Sequence, residues 1–334
     1  MKKVLSVIRS QEWWGYKIPP LLAIGYATTL LSNTPLNKVA WWLLFLLAAI
    51  VVDAIYVSII NDITDIEEDL ASNKKNRMAN ISPRVRWMFP AVCIALILYF
   101  ILFVFKDLLS AILYVLSSLS FTLYSFPPAR LKKRGILGVF ADACGSTFFP
   151  SLLMVSATSA YIGQNIDWLW FSAVGVWSLA NGLRGILWHQ FYDRENDLKV
   201  NLNTYASKVD PQSFKPKAIL LITIEVVALA VIFIHLMNPI PLIFLAAYFL
   251  LVMMYRKMGY SITVIMTPKN QAYQILLSDY YQVFFPIALL VAATIAFLSA
   301  WIVLMIHILL FNAKIIIICK DIVSFFRRLV LKTA

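Results

Sequence analysis

Cysteine is scarce in this chain. Cys93, Cys144 and Cys319 are all it has, an odd number without CxxC spacing, which argues against a disulfide framework or a cysteine-built zinc site. Charge is scarce as well: 14% of the 334 residues are Asp, Glu, Lys or Arg against 61% hydrophobic, too little polar surface to cover one or two soluble domains. No Gly/Ser-rich linker, low-complexity tract or clear repeat divides the chain, so it reads as a single domain over residues 1–334. Before Arg9 and Glu12 the apolar stretch is too short for a cleavable signal, and the first span is expected to stay in place.

What the chain does have is apolar runs near the roughly 20 residues that a helix needs to cross a bilayer. Spans are expected near 18–33, 38–60, 87–105, 108–126, 136–158, 167–190, 217–236, 238–255 and 284–311, nine in all. In lipid a helix satisfies its own backbone, whereas a barrel needs short alternating strands that are not seen, so the fold class is all-α and polytopic. Basic residues cluster in alternate loops. Lys2, Lys3, Arg9 and Lys17 precede the first span; Lys74, Lys75, Arg77, Arg84 and Arg86 follow the second; Arg130, Lys132, Lys133 and Arg134 follow the fourth; Arg194, Lys199, Lys208, Lys215 and Lys217 follow the sixth; Arg256, Lys257 and Lys269 follow the eighth. By the positive-inside rule these loops and the amino terminus are expected to face the cytoplasm. The net charge of +12 is then a topology signal and does not point to nucleic acid. The basic tail, residues 312–334, leaves two placements open: a helix lying on the membrane, or a re-entrant last span that returns it to the cytoplasm.

Acids are few, 17 in total, yet eight of them stand in two knots, five in Asn61–Asp69 and three in Asp193–Asp197. On a helix Asp62, Asp65 and Asp69 share one face, as do Asp193 and Asp197, with Asn61 beside the first set. Both knots follow apolar runs, at the carboxyl ends of helices, where the dipole disfavours acids; capping therefore does not explain them. The EF-hand order is absent. Mg²⁺ suits such a site, because it takes oxygen ligands, keeps several waters and joins a few carboxylates to substrate phosphates.

These residues resemble the UbiA superfamily of intramembrane prenyltransferases. Asn61, Asp62, Asp65 and Asp69 match its N-D-x-x-D-x-x-x-D signature, and the basic loop Lys74-Lys75-Asn76-Arg77 follows. Asp193 to Asp197 looks like its D-x-x-x-D motif, with Thr204 and Ala206 as a T-x-A element, and Tyr124 to Lys132 resembles its Y-S-x-P-P-x-R-L-K stretch. The chain departs from the pattern at Met78 to Ser82, where R-P-x-x-x-G is common, and near Asn201, where a glycine often stands. The resemblance implies a helical bundle around a lipid-open central cavity and Mg²⁺ held by Asp62, Asp65, Asp69, Asp193 and Asp197. It further implies a prenyl diphosphate donor, with Arg77, Arg130, Lys132 and Tyr124 as catalytic candidates and Asn61, Lys74, Arg184 and His189 as substrate-binding ones. The acceptor is expected to be a lipid-accessible small molecule, by prevalence an aromatic one. Terpene cyclisation through the same ionisation stays open as an alternative, and cation transport is a third reading.

Asp53, Asp142, Arg184, His189 and Glu225 fall within expected spans, where ionisable groups are functional candidates by default. Asp53 lies about 180° around its helix from Asp62, which points it to a neighbouring helix and away from a metal. Trp13, Trp14, Trp41, Trp42, Trp87 and Trp168 sit at span edges, as interfacial anchors do.

Overall fold

The computed structural model describes residues 9–199, 203–268 and 271–333. Lys2, Lys3, Asn201 and Lys269 lie outside the described residues, as does the side chain of Lys332. The chain folds as an all-α membrane bundle. Its helices are α1 (Ser10–Leu31), α2 (Leu36–Thr64), the short α3 (Ile66–Ala71), α4 (Pro83–Tyr99), α5 (Leu108–Ser125), α6 (Ile136–Ala143) and α7 (Phe149–Ile162), the last two joined through a wide turn at Cys144–Phe148. There follow α8 (Trp168–Lys199), α9 (Tyr205–Lys208), α10 (Pro211–Leu236), α11 (Ile240–Lys257), α12 (Phe285–Ala296), α13 (Trp301–Leu310) and α14 (Asn312–Thr333). The connection between α11 and α12 carries a parallel pair of three-residue strands, β1 (Ser261–Thr263) and β2 (Tyr273–Ile275).

Among the described residues six helices, or seven with the bent pair α13 and α14, are long and apolar enough to cross a membrane. The expected count of nine is thus not reproduced by length and apolarity, and α1 and α8 show why. Residues 18–29 of α1 are buried without interruption, although Pro19, Pro20 and Thr28 lie among them. A helix enclosed by other helices meets little lipid, so its sequence need not be lipophilic. Gly25 marks how close the neighbours come: a Cβ there would stand 2.6 Å from Met154 and 2.8 Å from Leu43. In α8 the apolar stretch is likewise interrupted by buried Arg184 and Gln190. The peripheral helices α4, α10 and α11 instead expose Val92, Leu96, Val227 and Leu250, apolar side chains that suit lipid contact.

The expected ninth span, 284–311, is a correction. The helix stops at Ala296, Phe297 takes an extended backbone, and α13 runs separately through 301–310. Between α13 and α14 the chain bends by 77°. The end of α13 meets the head of α1, where Trp14 donates to the Leu310 carbonyl at 3.0 Å, and α14 packs against the end of α11.

Candidate active site

The first acidic cluster straddles a helix break. α2 ends at Thr64, Asp65 adopts φ −107° and ψ 5°, and α3 restarts at Ile66. Helical hydrogen bonds nonetheless bridge the break, Asp65 N–H to Asn61 O at 3.0 Å and Asp69 N–H to Asp65 O at 2.8 Å, so the acids keep neighbouring positions. Asp62 is 4% exposed. Its Oδ1 lies 3.3 Å from Arg9 Nη1, and its Oδ2 lies 3.6 Å from Arg77 Nη1. Asp65 pairs with Lys132 and, at 3.2 Å, with Arg130. Asn76 donates to Asp69 Oδ2 at 2.8 Å and to the Asp62 carbonyl at 2.7 Å, tying the loop to both ends of the cluster.

The loop after α5 delivers these cations. Arg130 donates to the Thr64 carbonyl at 2.9 Å and also reaches Glu68 at 3.0 Å, filling the end of α2 with positive charge. Lys133 pairs with Glu68 as well. Gly138 lets the turn that carries Lys132 rest on α6, since a Cβ there would stand 2.6 Å from the Leu131 carbonyl. Lys132 is consequently buried, and burial holds its ammonium below the ordinary lysine value against the opposing pull of Asp65. Tyr124 is half-buried on α5 and within electrostatic range of Asp65, Asp142 and Asp197. Asn61 accepts a hydrogen bond from Ser125 on the same helix end.

The second cluster is built differently. Asp197 is buried and accepts from Thr204 at 3.0 Å; Arg194 donates to the Ala206 carbonyl at 2.9 Å, so the Thr204–Ala206 segment is strapped beneath α8. A β-bridge between Gly135 and Thr204 links this strap to the loop of Arg130 and Lys132. Lys74, from the first cluster's loop, lies within electrostatic range of Asp197. His189 is 3.7 Å from Asp193 on an exposed face.

One expectation needs correcting. Arg184 does not reach the acids: its guanidinium donates twice to Glu225, at 2.7 Å each, and once to the Leu276 carbonyl at 2.9 Å. A carboxylate buried in α10 needs a fully bonded partner, and Arg184 is that partner. Among the described residues no three His, Cys, Asp or Glu side chains are gathered tightly enough to hold a metal ion, because each acid is drawn to a different neighbour. The donor chemistry still fits a hard cation: Asp62 Oδ2 is buried and accepts no hydrogen bond, an oxygen left open for a charge-dense ligand. Three participants escaped the sequence reading of the site, namely Arg9, Glu12 and Asn76. Glu12 pairs with Arg9 at 2.5 Å and with Arg77 at 3.7 Å, so it holds the two cations that flank Asp62. The only sequence signal was the Arg9–Glu12 spacing of three at the head of α1.

The UbiA prenyltransferase family model matches residues 18–262. Among solved structures, a UbiA homolog from Archaeoglobus fulgidus bound to GPP and Mg²⁺ is similar at 15% identity and a TM-score of 0.54, covering 89% of this chain and 99% of the homolog. The structure of a UbiA homolog from the same organism without a stated ligand gives 16% identity, a TM-score of 0.54 and coverage of 93% and 100%. A Cd²⁺-bound form gives 16%, 0.54, and 86% and 99%. No curated protein sequence matches the chain.

Proposed function

This chain belongs to the UbiA prenyltransferase family, and from that premise we propose that it uses Mg²⁺ to transfer a prenyl group from a prenyl diphosphate to a lipid-accessible, aromatic acceptor at its acid-bearing end. The carrying observation is the interleaving of acids with cations: Asp62 between Arg9 and Arg77, Asp65 between Arg130 and Lys132. The A. fulgidus homologs bound to GPP or DMAPP with Mg²⁺ support the donor class. The loops rich in Lys and Arg support a cytoplasmic position for this end, and an inner membrane as the location.

Asp62, Asp65 and Asp69 on one side and Asp193 and Asp197 on the other would hold Mg²⁺, which when bound supplies Lewis-acid neutralisation of the diphosphate oxygens. Arg77, Arg130 and Lys132 exchange part of their contact with carboxylates for contact with the diphosphate. As the allylic C–O bond breaks, its electron pair moves to the leaving oxygen, where these cations stabilise the growing charge. Tyr124 hydrogen-bonds the same leaving group, while Asn61, Lys74 and His189 line its approach. The acceptor's nucleophilic carbon then bonds to the allylic cation and loses a proton.

The test is reconstitution with Mg²⁺, prenyl diphosphates of several lengths and host lipid extract, with products identified by mass spectrometry. Replacing Asp62, Asp65 or Asp193 by Ala is expected to stop diphosphate release while insertion is retained. Unchanged turnover in all three variants overturns the metal assignment, and a cyclic product formed without acceptor replaces transfer by cyclisation.

A further inference from the structure

The tail helix α14 lies beyond residue 262, where the family match ends. One face of it is committed to the bundle: Ile318 is buried against Leu251, Met254 and Tyr255, Lys314 pairs with Asp279 at 2.9 Å, and Asp321 accepts from Tyr255 at 3.0 Å. Tyr255 ends α11 and Asp279 precedes α12, so these contacts place α14 at the acid-bearing end of the molecule. The bend of 77° turns α14 away from the course of α13, which runs beside α2 and α12.

Two further faces are left. Ile316, Cys319, Val323 and Phe326 recur at i, i+3, i+7 and i+10 and form one exposed apolar stripe, with Val323 52% and Phe326 59% accessible. Beside the stripe stand Lys320, Arg327 and Arg328, exposed and with no carboxylate in ion-pair contact among the described residues. Apolar side chains on one flank and free cations on the next match the boundary of a leaflet, where acyl chains lie beneath anionic headgroups. We propose that α14 docks on the anionic phospholipid surface at this end of the protein, its apolar stripe among the acyl chains and Lys320, Arg327 and Arg328 against lipid phosphates. Through Asp321 and Lys314 this docking holds the end of α11 and the segment leading into α12 to the membrane surface. Charge complementarity selects lipid over a second copy of the chain, whose matching face would carry the same cations.

Cys319 makes the proposal measurable. The full chain with Cys93 and Cys144 replaced by Ala is labelled at Cys319 with an environment-sensitive fluorophore and placed in nanodiscs of phosphatidylcholine alone or mixed with phosphatidylglycerol. Strong quenching by spin-labelled acyl chains and weak quenching by aqueous iodide are expected in the anionic discs. Each cation near an anionic surface is worth about a fivefold preference, so K320Q/R327Q/R328Q is expected to lower the ratio of lipid to iodide quenching on the order of a hundredfold. The charge reversal K320E/R327E/R328E should lower it further, and high salt should weaken the wild-type ratio. Because the spans keep every variant in the disc, the readout does not depend on catalysis. Equal iodide access in both lipids, indifference to charge reversal, or cross-linking of Cys319 between two copies in place of lipid quenching would each overturn it.

Discussion

In the first acidic cluster the acids come with their own cations: Asp62 has Arg9 and Arg77, Asp65 has Arg130 and Lys132, and Glu68 has Arg130 and Lys133. In the second, Asp197 relies on a threonine hydroxyl and Asp193 on a histidine at 3.7 Å, and neither has an Arg or Lys in ion-pair contact among the described residues. The two walls therefore have complementary shortages. An incoming diphosphate finds positive charge already gathered at the first wall, while the second presents negative charge that a divalent cation would complete. Both motifs are short runs of acids in the sequence, but the structure makes them unequal.

The sharpest break in that comparison is Asp62→Ala, which is expected to bring Mg²⁺-dependent diphosphate release down to the uncatalysed rate in a phosphate-coupled assay. Release that persists would mean that the first wall works through its cations alone. Next comes Arg184→Met, which tests whether a buried arginine outside both walls is structural. Loss of about 3–5 kcal/mol of stability is expected in thermal unfolding, with donor affinity retained per folded molecule, and the R184M/E225M pair should recover much of it. Arg130→Ala removes one donor to developing charge and is expected to lower kcat roughly a hundredfold with a smaller change in KM. A loss confined to KM would place Arg130 in ground-state binding. Lys132→Arg acts on the pH profile: a lysine held below its ordinary value sheds its charge early as pH rises, whereas arginine keeps it. The alkaline limb of kcat should accordingly move to higher pH in the variant, and an unmoved limb would assign it to another group. The smallest effect is expected at the second wall's exposed histidine, where His189→Ala should change turnover less than about fivefold. A larger loss would show that this wall depends on a cation after all.

Much of this was readable along the chain. Eight of the expected spans fall on helical segments of the structure, with ends shifted by up to nine residues, because apolar runs of that length have few other ways to satisfy their backbones in lipid. The helical positions of Asp62, Asp65 and Asp69 followed from periodicity and survive the break at Asp65. Arg184 misled, since an arginine on the same helix as an acidic motif and ahead of it looks like a substrate ligand until Glu225, 41 residues later, is seen to lie against it. Likewise the run over 284–311 looked continuous, because Phe297 through Ala300 are as compatible with a helix as the residues around them. Asn76 carried no pattern of its own, and its clip between Asp62 and Asp69 exists only once the loop has folded back.

Local chemistry thus decided that this protein is a helical membrane bundle with two carboxylate motifs, since hydrophobic length and residue spacing act over a few turns of one helix. Which cation meets which acid was decided by the tertiary fold. Arg9, Arg77 and Lys132 come to the first cluster from three separate segments, and an ion pair between distant segments depends on how the helices pack, which no single stretch of sequence contains.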